Sequence, residues 1–167
     1  MKTKICLWFM ALGLLLFPIA LQAADVGDKM PSFSITTLDG KLVESSKLIG
    51  KKPVFFVFWA TWCPNCKAEI PHINEMDKEF TPLGMEFVGV NVGVNDSVKK
   101  VQRFAKKYKI HYPLYFDKGS QLTRKFKVSG TPTVIIVDKG GIVRYRGVSP
   151  PMDLAQNFDE LNKLNGF

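Results

Sequence analysis

The sequence predicts an α/β fold in three layers, with a mixed central β-sheet between helices. Pro53–Trp59 is a continuous apolar, β-prone run, which is typical of a strand buried on both faces. Strand-like runs alternate with helical segments along the chain, which indicates a sheet covered by helices. Near the C-terminus two strand-like segments flank the turn Asp138–Gly141. Together these observations predict both parallel and antiparallel neighbours in one sheet.

An N-terminal β-hairpin precedes this sheet. Phe33–Leu38 and Lys41–Val43 are strand-like, and the dipeptide Asp39-Gly40 between them is typical of a two-residue type I′ turn. A short helical turn follows near Ser45–Ile49.

The remaining elements give the order β-α-β-α-α-β-β-α, beginning at the buried strand. Ser97 is a suitable N-cap for the second of these helices because its hydroxyl can accept a backbone hydrogen bond. The predicted elements are the strand Val54–Trp59, a helix from Cys63 to Phe80, the strand Met85–Asn91, the helix Ser97–Tyr108, a shorter helix Ser120–Phe126, the strands Thr133–Val137 and Ile142–Tyr145, and a closing helix Pro151–Leu164.

Residues 1–23 predict a secretory signal peptide. Two lysines lie in Met1–Lys4, Ile5–Leu21 is an unbroken apolar run, and small residues follow, with cleavage expected after Ala23. The alternative is an uncleaved membrane anchor, because 17 apolar residues are near the lower limit for a span. In both cases residues 24–167 form a single domain outside the cytoplasm.

Length and composition limit the classes of function. The chain has 167 residues, of which 46% are hydrophobic, so it can form one packed domain and is not globally disordered. Three cysteines are too few for a disulfide scaffold or an all-cysteine zinc site. The net charge of +8 comes from scattered basic residues without an interleaved aromatic platform. We therefore expect no binding to nucleic acid. We also expect a monomer.

The chemistry is predicted to lie at Cys63 and Cys66, which follow the central strand and open a helix. A disulfide that closes so short a loop stabilises little, so a purely structural bond is a poor explanation. The helix N-terminus favours thiolate over thiol, which makes Cys63 the expected nucleophile and Cys66 the resolving thiol. Pro64 suits the first helical turn, where its missing N–H has no partner.

A metal site is the alternative for these cysteines, and it needs two further ligands. The only histidines are His72 and His111, and His72 lies on the same predicted helix at a spacing that directs it to another face. We therefore expect neither a metal nor another cofactor.

A second motif is Thr131-Pro132, directly before the β-prone run Thr133–Val137. A proline at the start of a strand cannot donate to the sheet, so it marks an edge, a turn or a cis peptide bond.

The stretch Phe58–Pro71, read as FWATWCPNCKAEIP, resembles the extracytoplasmic thioredoxin-fold family that includes TlpA, ResA and CcmG. The resemblance covers most of residues 26–160, including the hairpin and an extra strand–helix segment at Met85–Tyr108. It implies a thioredoxin-like fold and thiol–disulfide oxidoreductase activity through Cys63 and Cys66.

The resemblance also implies roles for residues around the cysteines. Thr131-Pro132 corresponds to a cis-proline loop that faces the cysteines, and with Trp62, Pro64 and Asn65 it would line the substrate groove. Glu69 matches an acidic residue proposed to tune the cysteine pKa values. The alternative for Glu69 is an ordinary solvated carboxylate on a helix surface.

One position departs from the cytoplasmic thioredoxins, which carry a buried aspartate on the central strand six residues before the first cysteine. Here that position is Val57. A carboxylate proton shuttle is therefore absent from the strand, and Glu69 or water must take any such role.

The resemblance further implies protein disulfide or dithiol clients, of which apocytochrome c is one example, and a membrane electron donor of the DsbD or CcdA type. It places the protein in the periplasm or on the extracytoplasmic face of the inner membrane.

Two other functions compete with this one. A peroxidase is the first, since the segment also resembles the peroxiredoxin-like superfamily. Peroxidatic cysteines follow a Pro-x-x-x-Thr/Ser-x-x-Cys pattern, whereas Phe56 and Ala60 occupy the corresponding positions here. A copper-delivery or partner-docking module is the second, although copper chaperones of similar fold carry a Cys-x-x-x-Cys spacing.

Overall fold

The computed structural model describes residues 24–163, in which a five-stranded mixed sheet lies between helices and a two-stranded hairpin stands apart. The predicted signal peptide at residues 1–23 lies outside the described residues. Within residues 24–163 no helix has the length and apolar character needed to cross a bilayer. The elements are β1 (Ser34–Thr36), β2 (Leu42–Glu44), α1 (Ser45–Leu48), β3 (Val54–Trp59), α2 (Pro64–Phe80), β4 (Glu86–Asn91), α3 (Val98–Tyr108), β5 (Leu114–Phe116), α4 (Gln121–Lys125), β6 (Thr133–Val137), β7 (Val143–Gly147) and α5 (Leu154–Asn162).

The central sheet has the strand order β5-β4-β3-β6-β7, so β3 lies in the middle. It pairs in parallel with β4 and antiparallel with β6, and β6 pairs antiparallel with β7. All six residues of β3 are buried, as the continuous apolar run predicts. The mixed sheet and the three-layer class are confirmed.

Strand β5 was not predicted from the sequence. It has three residues, too few to show a strand period, and it extends the sheet by parallel pairing with β4. The pairing depends on Gly89, because a Cβ there would lie 2.4 Å from Cδ2 of Leu114. A glycine inside a strand is thus found where side chains from the neighbouring segment approach its backbone closely.

The two faces of β3 carry different aromatic contacts, because successive side chains of a strand point to opposite faces. Phe56 and Phe58 contact Phe126, just after α4, with ring centroids 4.9 and 5.4 Å apart. On the other face Trp59 contacts Phe104 of α3 at 5.0 Å. Packing on both faces holds the end of β3, from which the chain leaves towards the cysteines.

The N-terminal hairpin is confirmed, but its predicted type I′ turn is wrong. That turn needs a positive φ at both central residues, and in the loop Leu38–Gly40 only Gly40 has one, at 85°. The N–H of Gly40 donates to the carbonyl of Thr37, and Thr37 and Lys41 close the loop. The connection is a three-residue loop with glycine in the left-handed position.

Candidate active site

The loop from β3 to α2 places Cys63 at the N-cap of α2. Its backbone N–H donates to the carbonyl of Ala60 over 3.3 Å, which closes a four-residue turn. Cys63 itself is extended, with φ −82° and ψ 114°, and Pro64 is the first helical residue. The predicted start of this helix is confirmed.

Cys63 and Cys66 form a disulfide with a Cα–Cα distance of 5.3 Å, within the usual range. The backbone N–H of Cys66 points at Cys63 Sγ over 3.1 Å. Both cysteines are 3% exposed. The sulfur of Cys63 therefore lies at the positive end of α2 and accepts a backbone hydrogen bond there, two conditions that favour a thiolate in the reduced state.

The loop before β6 faces the disulfide. The Thr131–Pro132 peptide bond is cis, and Pro132 is buried. The carbonyl oxygen of Thr131 lies 3.5 Å from Cys63 Sγ. The fold thus brings together two motifs that are 68 residues apart in sequence.

The rim of the site is formed by Trp62, Pro64 and Asn65, all of which are exposed. The indole N–H of Trp62 donates to the carbonyl of Val94 over 2.7 Å, so the ring is fixed although it is 49% exposed. Beside it lies a groove of about 170 Å³, and none of its lining residues is charged. The lining consists of Trp62, Val92, Val94, Thr123, Val128, Ser129, Gly130 and Thr131.

A small cavity lies behind Cys66. Its free volume is about 10 Å³, close to the room that one water molecule needs. Within residues 24–163 no group accepts a hydrogen bond from the buried indole N–H of Trp59, which is one of the walls. The walls are Val57, Trp59, Cys66, Glu69, Ile70, Ile73, Tyr112 and Pro132.

Glu69 reaches this cavity from α2, and its side chain is 24% exposed. The hydroxyl of Ser149 donates to its Oε1 over 2.8 Å. Next to Ser149, burial raises the pKa of Tyr145, and the Asp153 and Glu69 carboxylates raise it further. The neutral phenol donates to the carbonyl of Ser149 over 2.6 Å, which fixes the loop that holds Glu69.

The histidine considered as a metal ligand is exposed on α2. Nδ1 of His72 lies 3.9 Å from Oε2 of Glu69. In the described part of the chain no cluster of three or more histidine, cysteine, aspartate or glutamate side chains is arranged to hold a metal ion.

Three residues near the site were missed by sequence reasoning: Asn91, Asp96 and Ser149. The carboxylate of Asp96 accepts hydrogen bonds from Thr61, two residues before Cys63, and from the side chain of Asn91. These bonds join two loops to Asn91 at the end of β4, and such contacts follow no periodic pattern, so the sequence carries no signal for them.

Comparison with known proteins gives a consistent result. Residues 26–146 match the model of the AhpC/TSA family. The chain is 34% identical over 122 residues to the thiol-disulfide oxidoreductase ResA of Bacillus thuringiensis subsp. konkukian, covering 73% of this chain and 69% of that protein.

Solved structures agree with this match. The crystal structure of a protein assigned as thiol:disulfide interchange protein DsbE from Chlorobium tepidum superposes with a TM-score of 0.70 at 30% identity, covering 82% of this chain and 97% of that one. A second thiol:disulfide interchange protein of the thioredoxin family, from Chlorobium tepidum TLS, gives a TM-score of 0.67 at 33% identity and covers 82% and 94%.

Proposed function

The chain belongs to the AhpC/TSA family and is a thiol-disulfide oxidoreductase of the ResA type with a thioredoxin-like fold, and on this premise we propose that Cys63 and Cys66 are its redox pair and reduce disulfides in protein clients. The observation that carries the proposal is the position of Cys63 Sγ. It lies between the N–H of Cys66 at 3.1 Å and the carbonyl of Thr131 at 3.5 Å.

The reaction begins with the reduced pair. The Cys63 thiolate attacks one sulfur of the client disulfide, so a Cys63–client disulfide forms and the other client sulfur leaves as a thiolate that takes a proton from water. Cys66 then loses its proton and attacks Cys63 Sγ, which releases the second client sulfur. Two electrons pass to the client, and Cys63–Cys66 becomes the disulfide seen here.

The client lies beside the cis-proline loop in this proposal. The groove next to Cys63 is smaller than a typical small-molecule pocket and has no charged wall. It suits one apolar side chain of a protein segment. In this proposal an extended client pairs with the Thr131 backbone as a β-strand would, and Trp62, Pro64 and Asn65 form the exposed rim.

Glu69 is the proposed acid–base group for Cys66. Both residues line the small cavity behind Cys66, and β3 contributes the apolar side chain of Val57 to its wall. Glu69 is half-buried and held by Ser149, which favours this role over that of a fully solvated carboxylate. A proton leaving Cys66 has this carboxylate as its local acceptor.

We place this reaction outside the cytoplasm, with residues 1–23 as the export signal or anchor. The disulfide must then be reduced again by an electron donor, for which a membrane protein of the DsbD or CcdA type is suited. Apocytochrome c, whose haem-binding cysteines must be reduced before haem attachment, is the client we propose.

The test uses the purified protein carrying Cys6→Ser, so that Cys63 and Cys66 are its only thiols. Reduction of a protein disulfide by dithiothreitol is measured with and without catalyst. Cys63→Ser should abolish catalysis, whereas Cys66→Ser should accumulate Cys63–client mixed disulfides, visible by mass spectrometry. Full activity in Cys63→Ser, or mixed disulfides formed through Cys66 alone, would contradict the assignment.

The family match also raises a peroxidase as a second candidate. Peroxide activation needs a polar group beside the nucleophile, but the fully buried Ala60 occupies the position of the peroxidase threonine or serine, and the fully buried Phe56 occupies that of the proline. We expect the reduced protein to consume hydrogen peroxide no faster than a simple thiol of the same pKa. Consumption orders of magnitude faster, lost in Cys63→Ser, would favour the peroxidase.

A further inference from the structure

The turn that precedes α2 and contains Cys63 is hydrogen-bonded to a second loop. The turn runs from Ala60 to Cys63, and Thr61 and Trp62 are its central residues. Both are bound by residues 92–97, which connect β4 to α3. The carbonyl of Val94 accepts from the indole of Trp62, and Asp96 accepts from Thr61.

Asp96 makes the denser of these contacts. Its Oδ2 accepts the backbone N–H of Thr61 over 2.8 Å, and its Oδ1 accepts the hydroxyl of the same residue. Oδ2 also accepts from Nδ2 of Asn91 over 2.8 Å. We call Thr61, Asp96 and Asn91, with these three hydrogen bonds, the Asp96 brace. Hydrogen bonds to a carboxylate are stronger than neutral ones, so the brace fixes both donors of Thr61.

The far end of the brace is anchored in the sheet. Asn91 is fully buried and lies opposite Trp59 in the β3–β4 register. Its Oδ1 accepts the N–H of Gly93 over 3.1 Å. Gly93 has a φ of 74°, and a Cβ there would lie 2.2 Å from the carbonyl oxygen of Asp117. The loop therefore has little room to shift, and it transmits the position of β4 to Thr61.

We propose that Asp96 is a positioning residue for the redox reaction: through Thr61 it sets the turn that holds Cys63 Sγ against the N–H of Cys66. The proposal rests on the function proposed above. Thr61 is two residues from Cys63 and has both polar groups engaged. Loss of the brace leaves the turn held by the 3.3 Å bond from Cys63 to Ala60 and by the bond from the Trp62 indole to Val94. Cys63 Sγ then departs from the helix N-terminus that favours its thiolate.

The direction in which Asp96→Ala shifts the pKa of Cys63 distinguishes a positioning role of Asp96 from a direct effect of its charge. A carboxylate near a thiol raises the thiol pKa by like-charge repulsion, so removal of the Asp96 charge by itself would lower the pKa of Cys63. Loss of positioning acts in the opposite direction, because the thiolate loses its backbone donor. We therefore expect Asp96→Ala to raise the pKa of Cys63.

The experiment uses the full chain carrying Cys6→Ser and Cys66→Ser, in which Cys63 is the only thiol. The rate of alkylation by iodoacetamide is measured against pH, and the midpoint gives the pKa of Cys63. Asp96→Ala and Thr61→Val should each raise the midpoint and slow alkylation at pH 7 by about threefold to tenfold. The double variant should be no slower than Asp96→Ala, which already removes the hydroxyl contact that Thr61→Val deletes. Thr61→Ser, which keeps both donors, should behave as the parent.

Asp77→Ala is the matched control, because Asp77 also accepts a threonine hydroxyl, from Thr81 over 2.7 Å, at the far end of α2. Its alkylation profile should be unchanged. Thr61→Val leaves the Asp96 charge in place and decides the question if Asp96→Ala does not fold. An unchanged or lowered midpoint in a folded variant, or additive effects in the double variant, overturns the proposal. The assay needs no client and no turnover, so it is independent of the Cys63→Ser activity test that decides the proposed function.

Discussion

Asp117 should be one of the most sensitive polar positions in the protein. It is fully buried, and its carboxylate accepts three hydrogen bonds, from Leu122 N, Thr123 N and the Thr123 hydroxyl, at 3.1, 2.7 and 2.6 Å. These bonds fix the start of α4, where Ser120 supplies no side-chain cap. Because Thr123 also lines the groove beside Trp62, Asp117 connects the stability of α4 to the candidate site.

Asp117→Asn replaces one acceptor oxygen with an NH₂ group. The best orientation turns this group towards Leu122 N, the longest of the three bonds, and leaves that donor unpaired. Loss of a hydrogen bond to a charged acceptor amounts to about 1.5–3 kcal/mol, partly offset because a neutral amide is easier to bury than a carboxylate. We expect the free energy of unfolding to fall by about 2 kcal/mol, which lowers Tm by about 4–8 °C in a domain of this size.

The assay is urea unfolding of the oxidised protein followed by circular dichroism, with the m-value required to stay constant. Asp77→Asn is the control, since its bond to the Thr81 hydroxyl is exposed and should contribute less than about 0.5 kcal/mol. If Asp117→Asn and Asp77→Asn unfold at the same urea concentration, burial does not strengthen the Asp117 contacts and the reasoning fails.

Two further predictions concern the edge of the sheet. Gly89→Ala places a methyl group 2.4 Å from Leu114 and 2.8 Å from Tyr112, so it should lower the free energy of unfolding by about 1–3 kcal/mol. Hydrogen-exchange mass spectrometry should show faster amide exchange in β5, and unchanged exchange there would count against this packing. Burial, with a smaller contribution from Asp77, raises the pKa of Tyr112. Above about pH 10 the phenol of Tyr112 therefore ionises only in the unfolded chain, and the free energy of unfolding falls as the pH rises further. Tyr112→Phe should reduce this alkaline loss in urea titrations more than Tyr115→Phe, whose phenol is less buried; equal effects would contradict the assignment.

The sequence predicted those parts of the site that depend on local chemistry. Pro64, the preceding apolar strand and the cysteine spacing together define a helix start, and the structure has Cys63 at the N-cap. The cis geometry at Thr131–Pro132 was one of several possibilities from the residues alone and was singled out by the family resemblance. Its contact with Cys63 joins distant segments and depends on the antiparallel pairing of β3 with β6.

Other features could not be predicted because they depend on single contacts rather than on periodic patterns. The hairpin loop has three residues instead of the two of a type I′ turn, and among them only Gly40 has a positive φ. Strand β5 exists because Gly89 admits Leu114. The Asp96 brace joins a turn and a loop whose polar residues resemble those of any solvated connection.

The carboxylate in the wall of the cavity behind Cys66 belongs to the helix and not to the central strand. The strand contributes Val57, whereas the carboxylate comes from Glu69 on the helix, where it is 24% exposed. A carboxylate at position 57 would be buried in the sheet, because Val57 is only 3% exposed. Glu69 contacts both the cavity and solvent, so a proton accepted from Cys66 can pass to water without movement of the sheet. In this arrangement the apolar strand protects the core, and the proposed proton route follows the surface of α2.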